Sequence, residues 1–123
     1  MHNTPITMQH LIGHVTGCII ETVEVLEAKM NHIAEQQGFT VVARAFHQFE
    51  PVGATGVLVL AESHFTAHTY PEDSKVYIDV FCCAPSFDAP ACAEAIQREF
   101  GAAEAHWSFL KRSEEQGALL VGP

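Results

Sequence analysis

Between Val76 and Cys82 the chain alternates: Val76, Ile78 and Val80 fall on one side of an extended backbone, and Tyr77, Asp79 and Phe81 on the other. A strand patterned in this way needs a neighbour along its edges and cover over its apolar side. Both are present in the sequence. His10 to Thr16 reads as a first strand closed by Gly17, and Thr40 to Phe49, Val57 to Ala61 and His64 to Tyr70 are rich in β-branched and aromatic residues. The run Val57-Leu58-Val59-Leu60-Ala61 suits a strand buried on both faces. A last strand is expected over roughly Ala105 to Leu110. The segment Pro51 to Gly56 holds turn residues.

Cover comes from two helices. From Glu21 to Gln37 the apolar positions Val23, Leu26, Met30, Ile33 and Ala34 recur every three or four residues, and Gly38 stands where a left-handed stop belongs. Asp88 can cap a second helix that tolerates Pro90 in its first turn, turns Ala91, Ala95 and Ile96 inward and ends at Gly101. The pattern is α+β, a two-layer sandwich of an antiparallel sheet with helices on one face. The other face needs its own cover, which makes a homodimer the expected state. A chain of 123 residues, 48% of them hydrophobic, builds one core, so residues 1–123 are read as a single domain.

Fifteen acidic against six basic side chains give a formal charge of -9. That field repels nucleic acid and anionic lipid and suits a cationic small molecule, although an excess of acid also simply keeps many proteins in solution. No apolar run reaches the length of a spanning helix, and no secretory leader pattern is seen. Cys18, Cys82, Cys83 and Cys92 show no CxxC spacing, so a reduced, cytoplasmic setting is expected.

The densest group of reactive side chains runs from Glu62, Ser63 and His64 to His68, Thr69, Tyr70, Pro71 and Glu72, with Asp79, Cys82 and Cys83 following. Taken alone, a Ser beside a His is common. Eight histidines raise the question of zinc, with His10 and His14, and His64 and His68, as spaced pairs. No HExxH or CxxC accompanies them, and adjacent Cys82 and Cys83 point to opposite faces of a strand, so no metal is expected. A Cys83–His68 nucleophile pair stays open on these residues alone.

An ordered series sharpens the reading: His47, Phe49, Pro51, Gly53, Thr55 and Gly56; then Glu62, Ser63 and His64; then His68, Thr69, Tyr70, Pro71 and Glu72; then Asp79, Val80, Phe81 and Cys83. Together with His10-Leu11-Ile12 and Gly17-Cys18, this series resembles the prokaryotic S-adenosylmethionine decarboxylase proenzyme family over most of residues 8–85. The resemblance implies self-cleavage between Glu62 and Ser63 into chains 1–62 (beta) and 63–123 (alpha), with Ser63 becoming a pyruvoyl cofactor. It gives the processing steps to Glu62, Ser63, Thr55 and His68. His68 serves as the base of the elimination, and the Thr55 hydroxyl, where Ser is commoner, stabilises the intermediate of the acyl shift.

In turnover, the resemblance implies that the pyruvoyl ketone forms a Schiff base with the substrate amine and accepts the electrons released with carbon dioxide. Cys83 protonates the product, and Ser63, His68 and Cys83 are the catalytic set. Cys82, where Thr is usual, leaves a supporting role open. Phe49, Tyr70 and Glu72 are candidates for binding substrate; Phe49 serves equally as core, and Glu72 equally as an exposed loop carboxylate. The implied product supplies the aminopropyl donor of spermidine biosynthesis. His14 in place of an acidic residue, Thr16 in place of an aromatic one, Tyr70 in place of Trp, and Ala84-Pro85 in place of a Gly-acidic pair are departures that bear on the substrate pocket. Ornithine or arginine decarboxylation on the same scaffold is the alternative, and an inactive regulatory homologue a further one. The expected assembly is a homodimer of processed alpha/beta pairs.

Overall fold

A computed structural model describes residues 8–123. Seven strands form one antiparallel sheet in the order β2-β3-β4-β5-β1-β6-β7. They are β1 (Met8–Thr16), β2 (Val41–Gln48), β3 (Ala54–Leu60), β4 (Ser63–Tyr70), β5 (Lys75–Cys82), β6 (Glu104–Ser113) and β7 (Gly117–Gly122). Helix α1 (Val23–Gln37) enters between β1 and β2, and α2 (Ala89–Phe100) between β5 and β6. Both lie on the same face of the sheet, as expected.

The helix ends follow from their caps. Thr22 Oγ1 accepts from the Val25 amide, so α1 begins at Val23 and not at Glu21, and Gly38 closes it at φ 71°. Asp88 Oδ1 accepts from the Ala91 amide, and Gly101 closes α2 at φ 65°. With Ala89 as its first residue, α2 buries Ala89, Cys92, Ala93, Ala95, Ile96 and Phe100. Ala91 then falls on the outer side of that stripe and is exposed, contrary to expectation.

The core lies between helices and sheet, where Leu11, Val15, Leu58, Phe65, Val76 and Val80 meet Leu26, Met30, Ile33 and Ile96. Gly56 lets β3 pass close beneath this layer, since a Cβ there would stand 2.4 Å from the Phe46 ring and 2.8 Å from Met30 Sδ. The expectation that β3 is buried on both faces fails. Leu58 and Leu60 are buried towards the helices, whereas Val57 is half-buried and Val59 is 42% exposed on the opposite face. Ala61 belongs to the turn that follows, not to the strand. The last predicted strand is longer than expected, and it is followed by β7, which sequence did not reveal. Gly-Ala-Leu-Leu-Val-Gly has no alternation to mark it, and as an edge strand it leaves Leu119, Leu120 and Val121 exposed. Among the described residues no helix is long and apolar enough to cross a membrane.

Candidate active site

The face away from the helices gathers most of the reactive residues, with Ser63, the register partner of buried Leu60, at its margin and in the opposite strand parity to His68. Strand alternation sends Tyr77, Asp79 and Phe81 of β5 to this open face, and the series continues to Cys83 just beyond the strand. Cys82 points the other way and is 4% exposed, packed beneath the helices. Burial raises the Cys18 thiol above its ordinary value. Burial, with smaller contributions from Cys82 and Asp88, pushes Cys92 up to about 12. Those two thiols are held protonated, and Cys83 is the cysteine that solvent reaches.

At one end of the open face, β3 and β4 are joined by a two-residue turn, with Leu60 paired to Ser63 and Ala61 and Glu62 between them. Glu62 sits in the left-handed region at φ 62°, a conformation that costs a non-glycine residue about 1 kcal/mol or more. Its carbonyl oxygen accepts from Cys83 Sγ at 3.4 Å. A thiol therefore stands against the carbonyl of the Glu62–Ser63 peptide, one residue from the Ser63 hydroxyl.

The other end holds a second group. Thr55 on β3 and His68 on β4 are register partners, and Thr55 Oγ1 lies 3.0 Å from His68 Nδ1. Phe49 stands close by, 46% exposed, with its ring edge against His47. Tyr70 is exposed with its edge against Tyr77, and Glu72 is exposed in the 3-10 turn Pro71–Asp73 that ends β4. Gly53 ties the loop before β3 to this end: its carbonyl accepts from the Phe49 amide, and it packs close to Pro71.

These two groups do not meet within one chain. Ser63 and His68 are five positions apart on β4, about 16 Å of extended strand, and adjacent-face alternation separates them further. Thr55, His68, Phe49, Tyr70 and Glu72 form one cluster; Glu62, Ser63 and Cys83 form the other. The Cys83–His68 pair left open by the sequence is thereby ruled out in a single protomer.

Between the clusters lies a network that sequence reading missed. Asp79 Oδ2 accepts from His10 Nε2 and His64 Nε2, each at 2.9 Å, and Asp79 Oδ1 accepts from Thr66. Burial works to raise the Asp79 carboxyl, but the hydrogen bonds from Thr66, His10 and His64 and the charge of His64 outweigh it and hold the carboxyl below its ordinary value. The sequence pairs His10/His14 and His64/His68 do not converge. His14 instead stacks on His106 at 5.0 Å between centroids. Burial first, then His106 and Lys75, lower the His14 pKa, so this departure from the acidic residue of the pattern places a neutral ring on the open face. The signal for the network was a carboxylate, Asp79, on the alternation's outward side.

A family profile for S-adenosylmethionine decarboxylase matches residues 9–113. The chain belongs to that family. The decarboxylase relatives include the S-adenosylmethionine decarboxylase proenzyme of Clostridium botulinum (strain Loch Maree / Type A3), 40% identical over 83 residues, covering 65% of this chain and 72% of the relative. The proenzyme of Thermotoga maritima is 34% identical over 101 residues, covering 80% and 78%. Among solved structures, the adenosylmethionine decarboxylase of Aquifex aeolicus superposes with a TM-score of 0.78 over 86% of this chain and 90% of that one, at 24% identity, which supports the fold. The S-adenosylmethionine decarboxylase profile ends at Ser113, so β7 lies outside the matched region.

Proposed function

We propose that this chain is a self-processing, pyruvoyl-dependent decarboxylase of S-adenosylmethionine, working as a homodimer whose active sites are each assembled from two protomers. The observation that carries the processing half is the Cys83 Sγ contact on the Glu62 carbonyl, at a left-handed turn residue directly before Ser63.

The chemistry begins with Ser63 Oγ attacking the Glu62 carbonyl carbon. The C–N bond breaks as the C–O bond forms, giving an ester and a free Ser63 amine. Negative charge gathers on the Glu62 oxygen during the attack, where the Cys83 thiol donates a hydrogen bond. Removal of the Ser63 α-proton by a base then expels the Glu62 carboxylate. The dehydroalanine left behind takes up water and loses ammonia, leaving a ketone at the start of chain 63–123. His68 is the base of the elimination. Thr55, which shares a hydrogen bond with His68 Nδ1, holds that ring and offers its hydroxyl to the acyl-shift intermediate.

The residues around Ser63 fit such a group: a hydroxyl directly after a left-handed turn residue, and a thiol on the adjoining carbonyl. Once formed, the pyruvoyl ketone supplies an electron sink for loss of carbon dioxide from an α-amino acid. Cys83 holds the proton delivered to the substrate Cα. Phe49 and Tyr70 offer aromatic faces, and Glu72 a carboxylate, to a cationic substrate.

A second copy accounts for the separation of the two clusters. Ile12, Val59, Tyr70 and Tyr77 are all between 41% and 45% exposed on the uncovered face. Packing that face on its twofold mate buries these side chains. If the axis runs across the strands near Thr66, midway between Ser63 and His68 on β4, the Thr55–His68 end of one protomer lies over the Ser63–Cys83 end of the other.

Substrate choice rests on family membership, because the charge of -9 suits all three cationic candidates alike. Purified processed enzyme is expected to release carbon dioxide from carboxyl-labelled S-adenosylmethionine at least about 100-fold more efficiently than from ornithine or arginine, because a pocket built for a nucleoside loses its main contacts with either. Comparable release from ornithine or arginine would overturn the substrate assignment while leaving the decarboxylase intact. The product is then an aminopropyl donor for polyamine synthesis.

A further inference from the structure

The carboxylate of Asp79 collects donors from two flanking strands, one of them His64, the residue next after Ser63. His10 comes from β1, His64 and Thr66 from β4, and Asp79 itself stands in β5, so the three neighbouring strands are fastened through one side chain. The outer nitrogen of His10, Nδ1, faces Arg112 Nη1 at 3.5 Å. A guanidinium only donates, so this contact makes Nδ1 the acceptor and leaves Nε2 to donate to Asp79. The three ligand-type atoms of His10, His64 and Asp79 lie within 4.8 Å of one another, and both ring nitrogens stand at hydrogen-bond distance from the one carboxylate oxygen.

His64 is the residue after Ser63. On the reading proposed above, cleavage turns the middle of a hairpin into a chain end, and residue 63 loses its covalent tie to β3. Strand termini fray unless something holds them. Beyond the backbone ladder, the first side chain available is His64, hydrogen-bonded to Asp79 and stacked on Phe81 at 5.7 Å and 26°. Asp79, Phe81 and Cys83 follow one another on the same face of one strand and its extension. The group that anchors the new end and the thiol that must reach it thus share a rigid element.

We infer that Asp79 is a positioning residue: through His64 it pins the freed start of β4 and keeps the ketone formed from Ser63 aligned with Cys83 after the hairpin is cut. Before cleavage the continuous hairpin and the Leu60–Ser63 pair hold residue 63 without help. The network therefore matters for turnover and little for processing.

The test uses the full-length protein carrying Asp79→Asn, Asp79→Ala, His64→Leu or His64→Gln. Each is followed by intact mass for cleavage, by kcat and KM after cleavage, and by amide hydrogen exchange over residues 64–66. Asp79→Asn, Asp79→Ala and His64→Leu are expected to self-cleave within a few-fold of the wild-type rate. Their kcat should fall on the order of 10- to 100-fold with KM little changed, the penalty of a reacting group set about 1 Å off line. Exchange at residues 64–66 should quicken in the cut chain and stay near wild type when the same changes are placed in an uncut Ser63→Ala background. His64→Gln, whose amide reaches as Nε2 does, should recover most of kcat. Wild-type kcat in fully cleaved Asp79→Asn would overturn the inference, as would faster exchange of equal size in cut and uncut chains, or equal loss in His64→Gln and His64→Leu. Should Asp79→Ala fail to fold, the His64 pair decides by the same criteria. A wild-type chain that never cleaves would instead remove the proposed function on which this inference rests.

Discussion

Co-expressed Ser63→Ala and His68→Ala chains are expected to regain the cleavage that neither should show alone. In a Ser63→Ala homodimer no hydroxyl attacks, and in a His68→Ala homodimer the elimination lacks its base. A mixed dimer has one site that combines the intact Ser63 of the His68→Ala chain with the intact His68 of the Ser63→Ala chain. With random pairing about half of the His68→Ala chains sit in such dimers, and these are the chains expected to be cut. Distinct affinity tags and a denaturing mass spectrum read the result directly. The expectation follows from the distance between Thr55–His68 and Ser63–Cys83 along β4, which no rotamer of either side chain spans. If His68 served its own chain, mixing would give no cleavage at all.

Replacing Cys83 should separate two duties of one thiol. With Cys83→Ala, decarboxylation is expected to fall on the order of 100- to 10,000-fold, the span typical of losing a positioned acid. Self-cleavage should slow by only about tenfold, because a thiol is a weaker donor to a developing oxyanion than an amide N–H. Cys83→Ser keeps a donor of similar size and should restore processing better than turnover. Cys82→Ala is the contrast. Its side chain packs under the helices at 4% exposure, so its loss should cost on the order of 1 kcal/mol in stability and leave turnover within a few-fold. Steady-state kinetics with thermal unfolding of the four proteins would check this; a larger kinetic loss in Cys82→Ala than in Cys83→Ala would reverse the roles.

The alternation of Val76 to Cys82 told which face of β5 is buried, and Gly38 and Gly101 marked both helix ends, because burial and left-handed backbone write themselves locally. The C-terminal β7 escaped because an exposed edge strand has no two-sided pattern to display. The reactive residues were legible through their motif, yet their arrangement was not. Ser63 and His68 look close in sequence, but extended backbone carries them apart. His64, by contrast, finds its partners 15 residues away at Asp79 and, through it, at His10 on β1. Such cross-strand meetings depend on sheet order, and a strand order that inserts β1 between β5 and β6 leaves no periodic trace in the chain.

Consumption of Ser63 to make the cofactor is read by a denaturing intact-mass spectrum of freshly purified wild-type protein beside Ser63→Ala. Two wild-type fragments are expected, residues 1–62 and 63–123, with the second beginning in a pyruvoyl group that borohydride reduces, beside a Ser63→Ala chain that stays whole at 13.5 kDa. A wild-type chain that remains at 13.5 kDa and still releases carbon dioxide from S-adenosylmethionine would rule out a cofactor made from Ser63.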